Sequence, residues 1–198
     1  MIQIILASAS PRRAELLEKM GLKFIQREST VLENAVEEES PEVFVKKLAL
    51  LKAQEVASKF KKGIVIGADT VVVYKEKVLG KPRDFKEAVE MLKLLSGSIH
   101  RVISGVALVE AENGKFLVDS ETTRVHFRNL SEREILKYVS TGEPMDKAGA
   151  YGIQGLGGIL VKGLEGCYYN VVGLPLVKLF EMMKAFGIDF WDMIEKEE

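Results

Sequence analysis

The stretch Ile64-Val65-Ile66-Gly67-Ala68-Asp69-Thr70-Val71-Val72-Val73 sets one acid inside an otherwise apolar strand pattern. An ionised carboxylate in such surroundings costs about several kcal/mol, as a poorly solvated ion does, unless a cation or hydrogen-bond donors meet it. Whatever this chain folds into must bring a partner to Asp69. Gly67 and Ala68 remove side-chain bulk beside it, so that a ligand or another stretch of backbone can approach closely. The alternative is an aspartate capping a turn at a strand end. Thr70 to Val73 weigh against that, because they carry the strand pattern on past it.

A second junction points to an anion. The apolar run Ile2 to Ala7 breaks into Ser8-Ala9-Ser10-Pro11-Arg12-Arg13 and then into the helical pattern Ala14 to Met20. Ser10 suits an N-cap and Pro11 the first helical position, so the backbone N–H groups of the first turn project outward with their partial positive charge. Two hydroxyls and two guanidinium groups crowd the same turn, and a guanidinium forks onto paired phosphate oxygens. Successive helical residues diverge by about 100° around the axis, so Arg12 and Arg13 are expected to face different partners, one phosphate and one carboxylate. A capped surface helix with two solvated arginines explains these six residues equally well.

Helical and strand signals alternate along the rest of the chain, without a linker, low-complexity tract or internal repeat. Ser40-Pro41 opens a long helix to about Phe60, Asp84 with Glu87 and Ser131 with Glu134 form capping boxes, and a last helix follows Pro175. Strands are predicted over Gly63 to Tyr74, Arg101 to Glu110, Lys115 to Phe127 and Gly158 to Leu164, with Glu112-Asn113-Gly114 marking a hairpin. This is an α/β chain with a mixed sheet. At 198 residues and 47% hydrophobic it can bury a sizeable core as one domain, residues 1–198. Lys and Arg number 28 against 29 Asp and Glu, so no overall basic field argues for nucleic acid or an anionic membrane. The one cysteine, Cys167, excludes an intrachain disulfide; the start resembles no signal peptide, and the cytoplasm is the default expectation.

Other residues carry weaker signals. Lys52 follows Phe44 and Leu48 and precedes Val56 on the apolar stripe of its helix, so it should point inward; an internal pair with Glu55 is the competing reading. Lys81, between Gly80 and Pro82, could aim an ammonium at a fixed point or be an ordinary loop lysine. Glu33 heads an acidic run to Glu39, which reads equally as a solvated face. The glycine-rich stretch Asp146 to Gly158 matches no dinucleotide or P-loop spacing; it reads as tight turns, with Gln154 offering a donor and an acceptor suited to a base edge. His100, His126 and Cys167 lack metal-ligand spacing, and any metal here would be a hard, oxygen-bound cation.

Taken together, Ser8-Ala9-Ser10-Pro11-Arg12-Arg13, Gly67 to Val72, Gly80-Lys81-Pro82, Ser96 to Val102 and Asp146 to Tyr151 closely resemble the Maf family of nucleoside triphosphate pyrophosphatases, in order and spacing over essentially the whole chain. The resemblance implies a mixed twisted sheet flanked by helices, two lobes around a central cleft, similar to the inosine triphosphate pyrophosphatases. It implies hydrolysis of a nucleoside triphosphate to monophosphate and pyrophosphate with a divalent cation, Mg²⁺, Mn²⁺ or Co²⁺. Asp69 is then the proton acceptor; Ser8, Ser10, Arg12, Arg13, Lys52 and Lys81 surround the phosphates, and Glu33 joins Asp69 at the metal, although Leu32 stands where relatives often carry an acid. Tyr151 to Gly155 looks like the branch acting on dTTP and UTP, with Arg12, Thr70 and Gln154 assigned to substrate selection. A homodimer is compatible with this reading, and no nucleic acid or membrane is expected as a partner. The rival function is a non-enzymatic nucleotide-binding regulator of septum formation; Asp69 among cations argues for the enzyme.

Overall fold

The computed structural model describes residues 2–32 and 40–194. Its backbone forms a seven-stranded mixed sheet in the order β2-β1-β3-β5-β6-β7, with β4 paired to β3. The strands are β1 (Ile4–Leu6), β2 (Phe24–Gln26), β3 (Ile64–Tyr74), β4 (Lys77–Leu79), β5 (Ile99–Glu110), β6 (Phe116–Phe127) and β7 (Val161–Glu165). The helices are α1 (Pro11–Lys19), α2 (Pro41–Ala57), α3 (Phe85–Leu95), α4 (Glu132–Ser140), α5 (Tyr168–Val172) and α6 (Leu176–Ala185). β1 runs parallel to both β2 and β3, whereas β3–β4 and β6–β7 are antiparallel. The mixed sheet expected from the hairpin signal is therefore present. Gly114, at φ +73°, turns that hairpin, and Glu110 N–H donates to the Lys115 carbonyl at 2.8 Å.

The chain divides into two compact units, and β3, β5 and β6 each contribute residues to both. Of the described residues, the first comprises 2–32, 40–69, 104–121 and 173–194. Its core sets Ile5, Ala7 and Val65 against Ala49, Ala53 and Val56 of α2. Two glycines fix how closely that helix lies. A Cβ on Gly67 would stand 2.2 Å from the Ala49 carbonyl oxygen, and one on Gly105 would stand 2.2 Å from that of Val45. The bulk missing at Gly67 thus admits a helix backbone, one of the two approaches its sequence setting allowed.

The second unit comprises residues 70–103 and 122–172. Its core gathers Val72, Leu92, Leu95, Val125, Phe127, Ile135 and Tyr151. Both expected capping residues accept the N3 amide, Asp84 from Glu87 and Ser131 from Glu134. The reciprocal half of the box forms only in α4: Glu87 instead accepts from the Arg83 amide at 2.7 Å. Gly142, at φ +78°, follows the end of α4 as a left-handed stop. The last predicted strand begins later than its pattern suggested, because residues 156–160 form a 3-10 turn before β7. No helix among the described residues is long and apolar enough to cross a membrane.

Candidate active site

In the first unit the ladder between β1 and β3 pairs Leu6 with Ile66 and continues to Ala7, whose N–H donates to the Ile66 carbonyl at 2.8 Å. Ser8 therefore leaves β1 where the neighbouring strand reaches Ala68 and Asp69. Ligand sites of α/β sheets form at such carboxyl ends of parallel strands. Ser8 is 7% exposed and Asp69 6%.

The partner that Asp69 requires is Lys52. Its Nζ lies 2.5 Å from Asp69 Oδ1, with the two side chains 15% and 8% exposed. α2 delivers it there because Leu48 and Val56, one turn before and after, are buried on the same stripe. The competing pair with Glu55 does not form. That carboxylate is taken up by Lys59 and by the Thr30 hydroxyl at 3.2 Å, and the Lys59 contact is the main reason it is held below the ordinary range.

The turn after β1 is organised around Ser8, not by a cap from Ser10. Ser10 occupies the N-cap position in extended backbone, but its side chain makes no capping hydrogen bond. Instead Ser8 Oγ accepts from the Ser10 N–H and from Arg13 Nη1, each at 3.2 Å. Arg13 Nε donates to the Gly173 carbonyl at 2.8 Å, so the guanidinium plane is set from two sides. These two partners are a carbonyl and a hydroxyl. Arg12, the residue before it on α1, is half-buried. Gln26, which no local pattern singles out, holds the same turn by donating to the Ser8 carbonyl at 2.8 Å.

Thr70, Lys81 and Gln154 belong to the second unit. Thr70 is half-buried on β3, while Lys81 and Gln154 are exposed. The loop bearing Lys81 is tied to the glycine-rich segment, where the Gly149 N–H donates to the Gly80 carbonyl at 3.0 Å. Gly149 sits at φ +68° with Val72 3.0 Å from where its Cβ would be, so a side chain there meets both strain and a wall. Further on, the segment wraps a carboxylate. Glu143 accepts from the N–H groups of Leu156 and Gly157 and from the Tyr138 hydroxyl, which explains the glycines at 155 and 157 as tight-turn residues.

His100 is structural in its setting. Its Nε2 lies 2.8 Å from the Tyr151 hydroxyl, and its ring meets Phe127 and Tyr151 edge to face. Burial pushes its pKa down to about 4, with the charge of His126 adding to the effect. Glu33 lies outside the described residues. Among the described residues no three His, Cys, Asp or Glu side chains gather as a metal-binding group.

Fold and side chains together define an α/β protein with a hydroxyl and a guanidinium just past the carboxyl end of β1 and a lysine–aspartate pair whose aspartate lies midway along β3. The sequence profile of the family described as Maf-like protein matches residues 3–186, and the chain belongs to that family. It is 49% identical to a dTTP/UTP pyrophosphatase from Moorella thermoacetica, over 98% of this chain and all of the relative. A dTTP/UTP pyrophosphatase from Pelotomaculum thermopropionicum is 51% identical over 94% of this chain and 98% of its own length. One from Alkaliphilus oremlandii is 53% identical over 90% and 93%. Among solved structures, a HAM1 protein from Coxiella burnetii aligns with a TM-score of 0.46 at 18% identity, covering 76% of this chain and 86% of the other.

Proposed function

We propose that this protein hydrolyses nucleoside triphosphates, dTTP and UTP in preference to others, to the nucleoside monophosphate and pyrophosphate. The observation that carries the chemistry is the Lys52–Asp69 pair, a carboxylate and an ammonium held 2.5 Å apart with little exposure, the aspartate midway along β3. The substrate class follows from relatives of about half identical sequence over nearly the whole chain, each called dTTP/UTP pyrophosphatase. A non-enzymatic regulator would need a cradle for phosphate but not this charged pair.

Asp69 accepts a proton from the attacking water as the water adds to the α-phosphorus, and the bond to the pyrophosphate oxygen breaks on the opposite side. Lys52 fixes the Oδ1 side of that carboxylate and balances its charge. The Ser8 hydroxyl and the doubly anchored Arg13 present donors to phosphate oxygens, with Ser10, Arg12 and Lys81 adding further positive or hydrogen-bonding groups. Gln154 reads the edge of uracil or thymine by donating to a carbonyl and accepting from N3–H, and Arg12 and Thr70 contribute to substrate choice.

The donor set fits a hard divalent cation. Mg²⁺ is usually held by one or two carboxylates together with substrate phosphates and not by an all-protein cage; Asp69 would be one such carboxylate, and the family resemblance names Glu33, outside the described residues, as the second. When bound, the cation neutralises charge developing on the triphosphate. The protein acts in the cytoplasm, with no nucleic-acid or membrane partner. Side-by-side specificity constants for dTTP, UTP, CTP, GTP and ATP with Mg²⁺, Mn²⁺ or Co²⁺, and after chelation, test the reading. Pyrophosphate release that needs the cation and favours dTTP and UTP supports it, whereas no release from any nucleotide favours the regulator.

A further inference from the structure

The glycine-rich turn that carries Gln154 is built around one side chain outside it. Glu143 Oε1 accepts from the Gly157 N–H at 3.0 Å and from the Tyr138 hydroxyl at 2.9 Å, and its Oε2 accepts from the Leu156 N–H at 2.9 Å. Tyr138 Oη in turn accepts from the Gly152 N–H at 3.3 Å. Both flanks of Gln154, residue 152 on one side and residues 156 and 157 on the other, are thereby tied to a single carboxylate. Space is reserved for it as well. A Cβ on Gly155 would stand 2.5 Å from Glu143 Oε2, and one on Gly157 would stand 2.6 Å from Tyr138 Oη.

The anchor is itself held. Lys147 Nζ donates to the Glu143 backbone carbonyl at 2.6 Å, and the Thr141 hydroxyl receives the Glu143 N–H at 3.2 Å. Partial burial works against charge on Glu143, but the two amides, the phenol and the nearby Lys147 ammonium outweigh it and hold the carboxyl below its ordinary range. Burial and the same carboxylate push the Tyr138 phenol upward. The turn is therefore clamped onto an ionised acceptor throughout the neutral range.

We propose that Glu143 is a positioning residue for base selection, holding the 152–157 turn, through two amides and the Tyr138 hydroxyl, in the one shape that presents Gln154 to a pyrimidine edge. This rests on the reading of Gln154 as the base-recognising side chain. A carboxylate offers two acceptor oxygens and an amide only one, so glutamine at 143 sets an NH₂ group against one of the N–H donors and releases one flank of the turn.

The test is steady-state kinetics with dTTP and CTP on the full-length wild type, Glu143→Gln and Tyr138→Phe, each first shown to be folded by circular dichroism and thermal melting. Glu143→Gln is expected to lower the dTTP-to-CTP ratio of kcat/KM by about tenfold, the scale of one lost base-directed hydrogen bond, mainly through a higher KM for dTTP. Tyr138→Phe keeps the ring and loses only the bridging hydroxyl, so it shifts the ratio in the same direction by a smaller factor. Folded variants that keep the wild-type ratio, or that lose kcat with KM and ratio intact, overturn the inference while leaving the base reading of Gln154 standing. A wild type that does not prefer dTTP over CTP overturns that reading and the inference with it.

Discussion

Lys52 Nζ stands 2.5 Å from Asp69 Oδ1, so the helix α2 and the strand β3 each deliver one half of a nearly buried ion pair. Removing one partner of such a pair strands a charge and costs about 3–5 kcal/mol, whereas removing both is far milder. Lys52→Met should therefore destabilise the protein by an amount in that range, and Lys52→Met with Asp69→Asn should recover most of it. Chemical denaturation of the two single variants and the double variant gives the cycle. Equal losses in the single and double variants would show that Lys52 contributes by packing and not by charge.

Catalysis separates from stability at the same pair. Asp69→Asn should fold and bind nucleotide but turn over about 10²–10⁴-fold more slowly, the usual worth of a positioned proton acceptor. Wild-type turnover at saturating Mg²⁺ would remove Asp69 from the chemistry.

Gly67 offers a geometric test of how Lys52 is placed. The Cβ of Gly67→Ala would stand 2.2 Å from the Ala49 carbonyl oxygen, a backbone atom that cannot swing away, so α2 must shift. Overpacking of this kind costs about 1–3 kcal/mol. Because Lys52 lies one turn beyond Ala49, turnover should fall with stability. Gly105→Ala meets the Val45 carbonyl at the same distance, two turns before Lys52, and should cost similar stability with a smaller loss of turnover. Thermal melts and kcat on both variants decide the order.

His100 predicts a pH dependence whose sign follows from burial. Its folded pKa is lowered from 6.5 to about 4, so the unfolded chain binds the extra proton first as pH falls. The stability it contributes is whole above pH 6.5 and drains away between there and about pH 4, up to about 3 kcal/mol in all. His100→Gln should flatten the slope of stability against pH within that window, relative to wild type. Parallel slopes for the two proteins would mean that the buried ring does not titrate as its surroundings dictate.

Much of the fold was legible because period and punctuation agree locally. The β3 run, the two capping residues Asp84 and Ser131 and the Asn113-Gly114 turn each announce themselves within a few residues. β2 and β4 were missed because strands of three residues carry no readable alternation and exist only through their neighbours. At the site, the need of Asp69 for a cation could be read from its surroundings, but the choice between Glu55 and Asp69 as partner of Lys52 could not. Spacing on one helix supports the local pair as well as the inward one, and it is α2 seated closely on β3 at Gly67 that brings Lys52 to Asp69. Ser10 takes the N-cap position without a capping bond, and the hydroxyl that organises the turn is that of Ser8, which accepts the Ser10 N–H. Glu143 and Gln26 were invisible, because their bonds reach main-chain groups across gaps that no local pattern encodes.

The most direct test of the central claim is the identity of the products of dTTP, followed by ³¹P NMR in water enriched in ¹⁸O with Mg²⁺ present. Attack of water at the α-phosphorus predicts dTMP and pyrophosphate in equal amounts, with the label in dTMP. Formation of dTDP and orthophosphate as the main products would contradict the account.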